Sequence, residues 1–103
     1  MNDFIRPALY NAKHQIIPAE KNKKLIKKNT QFVGPICESS DIFLNTKIFQ
    51  KIREKDILLI KDVGAYGMTL ASNYNLRPKP AEILVNKSNI KLIRKKENIN
   101  RLI

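Results

Sequence analysis

The chain has 103 residues, 43% of them hydrophobic and 28% charged, which suits one globular domain and excludes two independent cores. No apolar run approaches the ~20 residues that span a bilayer, and the amino terminus lacks a signal-peptide pattern, so we expect a cytoplasmic protein with no membrane partner. The net charge of +11 comes from 15 Lys and 5 Arg in a chain that is also rich in Ile and Asn, which favours compositional bias over a nucleic-acid partner.

The first half of the chain predicts short strands separated by polar connections. A strand-like run around 14–17 stops at Pro18, and residues 19–30 are polar and basic, which predicts a loop or hairpin tip. A second strand-like pattern covers 30–36, where a Gly-Pro pair bends it. Residues 47–55 then form a turn that is capable of helix.

The second half predicts the strongest strand and a hairpin. Residues 56–63 carry a continuous apolar run of the kind buried on both faces. Strands at 81–85 and 90–94 flank an Asn-Lys-Ser-Asn turn, and 97–103 suits one or two helical turns. This set of elements predicts a mainly β fold, a distorted barrel or sandwich with short helical segments.

Five side chains suit chemistry, although each has a plainer explanation. Cys37 is the only cysteine, so it forms no disulfide framework or cysteine-based metal site, and a lone Cys is most often a small buried residue. Its neighbour Glu38 would ordinarily be a surface charge. Arg6 and Tyr10 lie about one helical turn apart, so the guanidinium and the phenol could bind one carboxylate together. Tyr66 has Gly residues close on both sides, which is typical of a tight turn but would also let a bulky ligand approach its ring.

The order and spacing of four segments resemble the carboxy-terminal region of the diaminopimelate decarboxylase family, pyridoxal-phosphate enzymes that make L-lysine from meso-diaminopimelate. The matching runs, together with a similar Leu-Ile-Arg-Lys-Lys-Glu ending, are Met1–Tyr10, Gly34–Asp41, Asp62–Tyr66 and Tyr74–Leu84. The departures are Lys for Arg at 79, 95 and 96 and a hairpin turn without Gly.

The resemblance implies that residues 1–103 form a single β domain, similar to the C-terminal domain of alanine racemase. The family's amino-terminal barrel, which carries the Schiff-base lysine and a phosphate loop, has no counterpart here, and Met1 corresponds to an internal Met of the family. We therefore expect a fragment that is inactive alone. Its expected partner is a second copy in a homodimer or a separate barrel chain.

The resemblance also implies a role for each side chain, with pyridoxal 5'-phosphate as cofactor, meso-diaminopimelate as substrate and no metal. Cys37 would protonate the carbanion left by loss of CO2, and Glu38 would accept hydrogen bonds from the distal ammonium of the substrate. Arg6 and Tyr10 would hold the distal carboxylate, and Tyr66 would contact cofactor and substrate. We expect these five side chains to face one cavity whose opposite wall belongs to another polypeptide.

Two alternatives stay open. Ornithine and arginine decarboxylases share the fold and the Cys, but they follow it with Asp and prefer substrates that lack a second carboxylate, so Glu38 with Arg6 and Tyr10 favours diaminopimelate. The other alternative is a small basic β protein that binds RNA, which the charge alone suggests.

Overall fold

The strands pair two by two in antiparallel ladders in the computed structural model, which describes residues 3–21 and 23–103. The ladders are β1 with β4, β2 with β3 and β5 with β6. Short helical turns at 74–76 and 99–101 complete the elements. In chain order, the main elements are α1 (Arg6–Tyr10), β1 (Ile16–Pro18), β2 (Leu25–Val33), β3 (Ile42–Gln50), β4 (Leu58–Ile60), α2 (Gly67–Leu70), β5 (Glu82–Asn86) and β6 (Asn89–Arg94).

The core lies on one side of the β2–β3 ladder and is small. Phe32 and Phe49 are each 8% exposed and meet edge to face with ring centroids 4.6 Å apart, a geometry that aromatic pairs prefer. Ile16 of β1 joins them, so the β1–β4 ladder is attached to the longer ladder through this cluster. The partly buried residues that pack around it are Phe43, Leu44, Ile52, Leu58 and Ile60.

A second aromatic contact fixes the amino-terminal helix to the same framework. The Phe4 ring packs edge to face on His14 at 4.6 Å and lies 6.0 Å from the Phe43 ring on β3. His14 Nδ1 is 2.9 Å from the Lys61 carbonyl oxygen, just beyond β4. Phe4, just before α1, and the residue that follows β4 are therefore held at the same place, which positions the candidate site described below.

The β5–β6 hairpin has one aliphatic face that the chain leaves uncovered. The register pairs Ile83 with Leu92 and Val85 with Ile90, so the four side chains share one face because alternate residues of a strand point the same way. Each of the four is between 52% and 73% exposed. The opposite face carries the Glu82–Arg94 ion pair at the open end of the hairpin.

The molecule exposes much more surface than a compact protein of its size. Its accessible area is 8444 Å², where a folded monomer of this mass has roughly 6,000 Å². Its radius of gyration is 15.1 Å, against about 13 Å for a compact domain of this length. The excess of roughly 2,500 Å² is of the size that permanent protein interfaces bury.

The structure confirms the mainly β fold with short helical segments, although its described strands do not close into a barrel. The predicted β5–β6 hairpin is also confirmed, with Lys87 in the left-handed region of its turn at φ 54°. The carboxy-terminal tail forms a single helical turn at 99–101, within the predicted segment.

Three expectations for the middle of the chain are wrong. The predicted basic loop at 19–30 contains the first six residues of β2, and the helix-capable turn at 47–55 begins with the last residues of β3. Both errors have one cause, because these segments pair with each other and bury Phe49, and such non-local pairing overrides local propensity. The predicted strand at 56–63 shrinks to three residues, with Ile57 and Leu59 69% and 47% exposed instead of buried on both faces.

The structure describes no helix, among residues 3–21 and 23–103, with the length and apolarity needed to cross a bilayer.

The aromatic pair should dominate the stability of the chain. We expect Phe32→Ala to lower the free energy of unfolding by about 3 kcal/mol, because it removes a buried ring and leaves a cavity against Phe49. The matched control is Val33→Ala on the next residue of β2, which is 56% exposed and should change stability by less than about 0.5 kcal/mol. Urea denaturation followed by circular dichroism measures both; equal losses would contradict the proposed location of the core.

Candidate active site

The first part of the site is presented by α1. Pro7 occupies the first turn, where its missing N–H costs no hydrogen bond and its fixed φ suits a helix start. The helix ends at Asn11, which adopts the left-handed conformation at φ 52°. Five residues make a little more than one turn, so Arg6 and Tyr10 lie on the same side of the helix, as the sequence predicted.

The second part of the site comes from the turn after β4. Asp62 reverses the backbone at φ 60°, and the Gly67 N–H donates to the Val63 carbonyl at 2.7 Å, which starts the short helix α2. Tyr66 immediately precedes α2, and its ring faces α1. The central carbon of the Arg6 guanidinium lies 5.4 Å from the Tyr66 ring centroid, within the range of a cation–π contact.

Arg6, Tyr10, Tyr66 and Leu70 line a cleft of about 470 Å³. The two tyrosines are 64% and 58% exposed, so the cleft is a half-open wall and not an enclosed pocket. None of the described residues that line it is acidic, so Arg6 gives it a positive character. A guanidinium beside two phenol groups suits a carboxylate ligand, because it offers charge and several directed donors.

Cys37 and Glu38 lie in a turn that is built around the buried carboxylate of Asp41; we call residues 34–41 the Asp41 turn. Asp41 is only 1% exposed, and its Oδ2 accepts a hydrogen bond from the Ile36 N–H at 2.8 Å. The Gly34 N–H donates to the Asp41 carbonyl at 2.9 Å, and the Asp41 N–H donates to the Glu38 carbonyl at 3.1 Å. The turn is therefore closed from both ends, which fixes the backbone of Cys37 and Glu38.

The functional groups of this turn face outwards. Cys37 is an exposed free thiol, contrary to the common tendency of a lone Cys to be buried. The Glu38 carboxylate accepts a hydrogen bond from the Ser40 hydroxyl at 3.3 Å. The hydrogen bond to Glu38 and the negative charge of that residue raise the pKa of Tyr74 above its usual range, because both disfavour the phenolate.

The segment that carries Tyr74 is attached to the carboxy-terminal tail by Glu97. The Glu97 Oε2 atom accepts from the Asn73 side-chain amide at 2.6 Å and from the Lys79 N–H at 2.7 Å. The Lys79 N–H, followed by the Asn73 amide, lowers the pKa of Glu97 below its ordinary value, since both donors stabilise the carboxylate. One side chain thus holds both ends of the segment 73–79.

The structure brings together three of the five predicted site residues. Arg6, Tyr10 and Tyr66 line the cleft, whereas Cys37 and Glu38 lie in the Asp41 turn and are not among its lining residues. The described residues hold no group of three or more metal-ligating side chains.

Sequence reasoning did not single out Leu70, Asp41 or Tyr74 as parts of the site. The last two stand inside the matched segments, so the spacing of those segments was the signal that could have found them. Leu70 gave no such signal, because an apolar residue in a short helix is usually core.

The densest basic cluster, residues 21–28, is partly neutralised. Lys23 Nζ lies 2.7 Å from a Glu20 carboxylate oxygen and 3.0 Å from Asp56 Oδ2. Hydrogen bonds to Glu20 and then to Asp56 raise the pKa of Lys23. This cluster therefore offers less free positive charge than its sequence suggests.

Comparison with known proteins places the chain in a family. Residues 1–64 match the family described as pyridoxal-dependent decarboxylase, C-terminal sheet domain. The chain belongs to this family, which defines it as the sheet domain of a decarboxylase class that uses pyridoxal phosphate.

Within this class, the chain is similar to diaminopimelate decarboxylases. The chain is 43% identical to the diaminopimelate decarboxylase of Aquifex aeolicus and 44% identical to that of Helicobacter pylori, over 100% and 99% of its own length. The solved diaminopimelate decarboxylase of Methanocaldococcus jannaschii superposes with a TM-score of 0.89 at 40% identity. The Helicobacter pylori enzyme complexed with L-lysine superposes with a TM-score of 0.88 at 42% identity, and each structure aligns with 99% of this chain.

The chain spans only about a quarter of the length of these relatives. It covers 24% of the Aquifex aeolicus protein, 25% of the Helicobacter pylori protein and 23% of the Methanocaldococcus jannaschii structure.

The Asp41 turn gives a matched pair of glycine substitutions. A Cβ atom on Gly34 would overlap the buried Asp41 carboxylate, whereas a Cβ on Gly64 meets nothing within 4 Å. We expect Gly34→Ala to lower the free energy of unfolding by about 1–3 kcal/mol, and Gly64→Ala to change it by less than about 0.5 kcal/mol. Thermal denaturation measures the difference, and the same Tm for both variants would show that Asp41 does not fix the turn.

The lowered pKa of Glu97 predicts a pH-dependent stability. The contribution of Glu97 is complete above its ordinary value of 4.5 and is lost as the pH falls through the lower folded-state pKa. Comparing urea denaturation at neutral pH and near pH 3, we expect Glu97→Gln to lose less stability on acidification than the unchanged chain. The control is Glu54→Gln at an exposed position; an identical pH profile for Glu97→Gln and the unchanged chain would refute the prediction.

Proposed function

We propose that residues 1–103 form the carboxy-terminal sheet domain of a diaminopimelate decarboxylase and build one wall of its active site. The observation that carries this proposal is the cleft in which Arg6, Tyr10 and Tyr66 meet, although Tyr66 lies 56 residues beyond Tyr10. Its half-open form suits a site that a second polypeptide completes. The four exposed aliphatic side chains of the β5–β6 hairpin also require a cover, because patches of this kind mark interaction surfaces.

Pyridoxal 5'-phosphate fits this chain only in part. Tyr66 offers a ring and a hydroxyl as cofactor contacts, but no lysine is among the described residues that line its cleft. The amine that binds the cofactor covalently therefore belongs to the barrel, which we propose is supplied by a separate chain or by the rest of a longer one in a dimer. When bound, the cofactor takes up the electron pair released with CO2.

The residues of this chain would bind the substrate and move one proton. The Arg6 guanidinium and the Tyr10 phenol would hold the distal carboxylate of meso-diaminopimelate, and Glu38 would accept hydrogen bonds from the distal ammonium. The Cys37 thiol would give its proton to the substrate carbon from which CO2 has left. A thiol suits this step, because its S–H group can act as a general acid. Its exposure leaves it accessible to a site completed from outside.

Diaminopimelate fits this set of side chains better than ornithine or arginine. Arg6 and Tyr10 would contact a second carboxylate, which those two substrates lack. No lining residue of the described cleft offers an acidic partner for a distal cation there. The distal cation would instead meet Glu38.

A complementation experiment tests the proposed function. We expect the chain alone to form no borohydride-reducible adduct with pyridoxal 5'-phosphate and to release no CO2 from meso-diaminopimelate. Mixed with the remaining three-quarters of the Helicobacter pylori relative as a separate polypeptide, it should restore CO2 release. Cys37→Ala should lower kcat at least about 100-fold, since it removes the proton donor.

Two further variants test the assignment of substrate and site. Arg6→Ala should raise KM for meso-diaminopimelate, whereas Lys87→Ala, at the exposed hairpin turn, should leave the kinetics unchanged. Higher activity on ornithine than on meso-diaminopimelate would contradict the proposed substrate and would indicate an ornithine decarboxylase instead. A stable adduct at a lysine of the chain alone would overturn the division of the site between two polypeptides.

A further inference from the structure

The Arg6 guanidinium is held in the cleft by the ring of Tyr66. Its central carbon lies 5.4 Å from the centre of that ring. Among residues 3–21 and 23–103, this guanidinium forms no ion pair and no hydrogen bond. A long side chain loses rotamer freedom when it binds a ligand, and this loss is smaller where a neighbour already restrains it. The contact with Tyr66 can therefore prepare Arg6 for a ligand.

The backbone that carries the Tyr66 ring is fixed on both sides. Before it, the Val63 carbonyl accepts from the Gly67 N–H at 2.7 Å. The Tyr66 carbonyl itself accepts from the Leu70 N–H at 3.1 Å and from the Thr69 hydroxyl at 3.3 Å. A tyrosine has only two side-chain torsions, so it loses little conformational freedom when it supports another group. Tyr66 is thus better suited to restrain Arg6 than Arg6 is to restrain Tyr66.

A contact with a ring leaves the hydrogen-bonding capacity of the guanidinium available. The attraction acts between the positive charge and the electron-rich ring, and it uses none of the five N–H donors. Those donors share one cleft with the Tyr10 phenol and the Leu70 side chain. A carboxylate that enters the cleft can therefore bind Arg6 without first displacing a protein acceptor.

We propose that Tyr66 is a positioning residue whose ring holds the Arg6 guanidinium where that group meets a carboxylate of the substrate. This inference rests on the role proposed above for Arg6, and it gives Tyr66 a task besides contact with the cofactor. The task belongs to the ring and not to the hydroxyl. Tyr66→Phe should therefore retain it, whereas Tyr66→Leu, which keeps an apolar side chain without a ring, should lose it.

NMR spectroscopy of the 103-residue chain tests the contact without any need for activity. An aromatic ring moves the resonances of protons above its face upfield, so we expect upfield-shifted Arg6 side-chain protons in the unchanged chain and in Tyr66→Phe. In Tyr66→Leu they should return to the positions of an exposed arginine. The matched control is Tyr10→Leu, which removes the other ring that lines the cleft and should leave the shift in place. Ordinary Arg6 resonances in the unchanged chain, or an upfield shift that survives Tyr66→Leu, would overturn the proposal.

Kinetics in the complemented assembly separate positioning of Arg6 from direct contact between the ring and the ligand. We expect KM for meso-diaminopimelate to be about tenfold higher in Tyr66→Leu than in Tyr66→Phe, because only the second variant keeps the cation–π contact. In an Arg6→Ala background the same two substitutions should give equal KM values, since no guanidinium is left to position.

Two kinetic results would contradict the positioning role. One is an equal KM for Tyr66→Leu and Tyr66→Phe in the chain that retains Arg6. The other is a difference between them that persists in the Arg6→Ala background, which would show that the ring contacts the ligand directly. An unchanged chain that gives no activity at all would contradict the proposed function instead, and the NMR spectra would still decide whether Tyr66 holds Arg6.

Discussion

The edge-to-face contact between Phe32 and Phe49 is the interaction on which the rest of the structure depends. It joins the two long strands on their buried side, and Ile16 brings the second ladder onto the same cluster. Phe43 of β3, which packs against this cluster, also lies 6.0 Å from the Phe4 ring and so connects the segment that leads into α1. Because the described chain buries so few large side chains, each of these contacts carries an unusually large share of the packing.

Buried or half-buried carboxylates organise the polar parts that this core does not reach. Asp41 closes the turn that carries Cys37, and Glu97 gathers both ends of the segment that carries Tyr74. Each accepts at least one backbone N–H, which satisfies donors that irregular loops otherwise leave unpaired. Loops therefore present the reactive groups, and single acidic side chains make those loops rigid.

Local sequence patterns predicted the elements that depend on residues close in sequence. They failed for the elements whose conformation is set by pairing with a distant strand. The hairpin β5–β6 and the helical spacing of Arg6 and Tyr10 follow from turn chemistry and periodicity, and both are present. The predicted strand at 30–36 overlaps only the end of β2; the first six residues of β2 and their pairing with β3 were missed, because this basic stretch is held by its partner strand and not by its own propensity. The approach of Tyr66 to α1 followed from no local pattern; only the order of the motifs suggested that the two belong together.

The cleft lies between two segments that are far apart in the sequence, α1 and the turn after β4. We expect these two segments to come together only when β1 pairs with β4, because that ladder lies between them. The paired residues are about 40 positions apart, so the pairing carries the entropic cost of closing a long loop. We therefore expect the contact of Arg6 with Tyr66 to form only once the β1–β4 ladder is in place. A ligand that bridges α1 and the turn after β4 would bind the finished chain and none of its partly folded precursors.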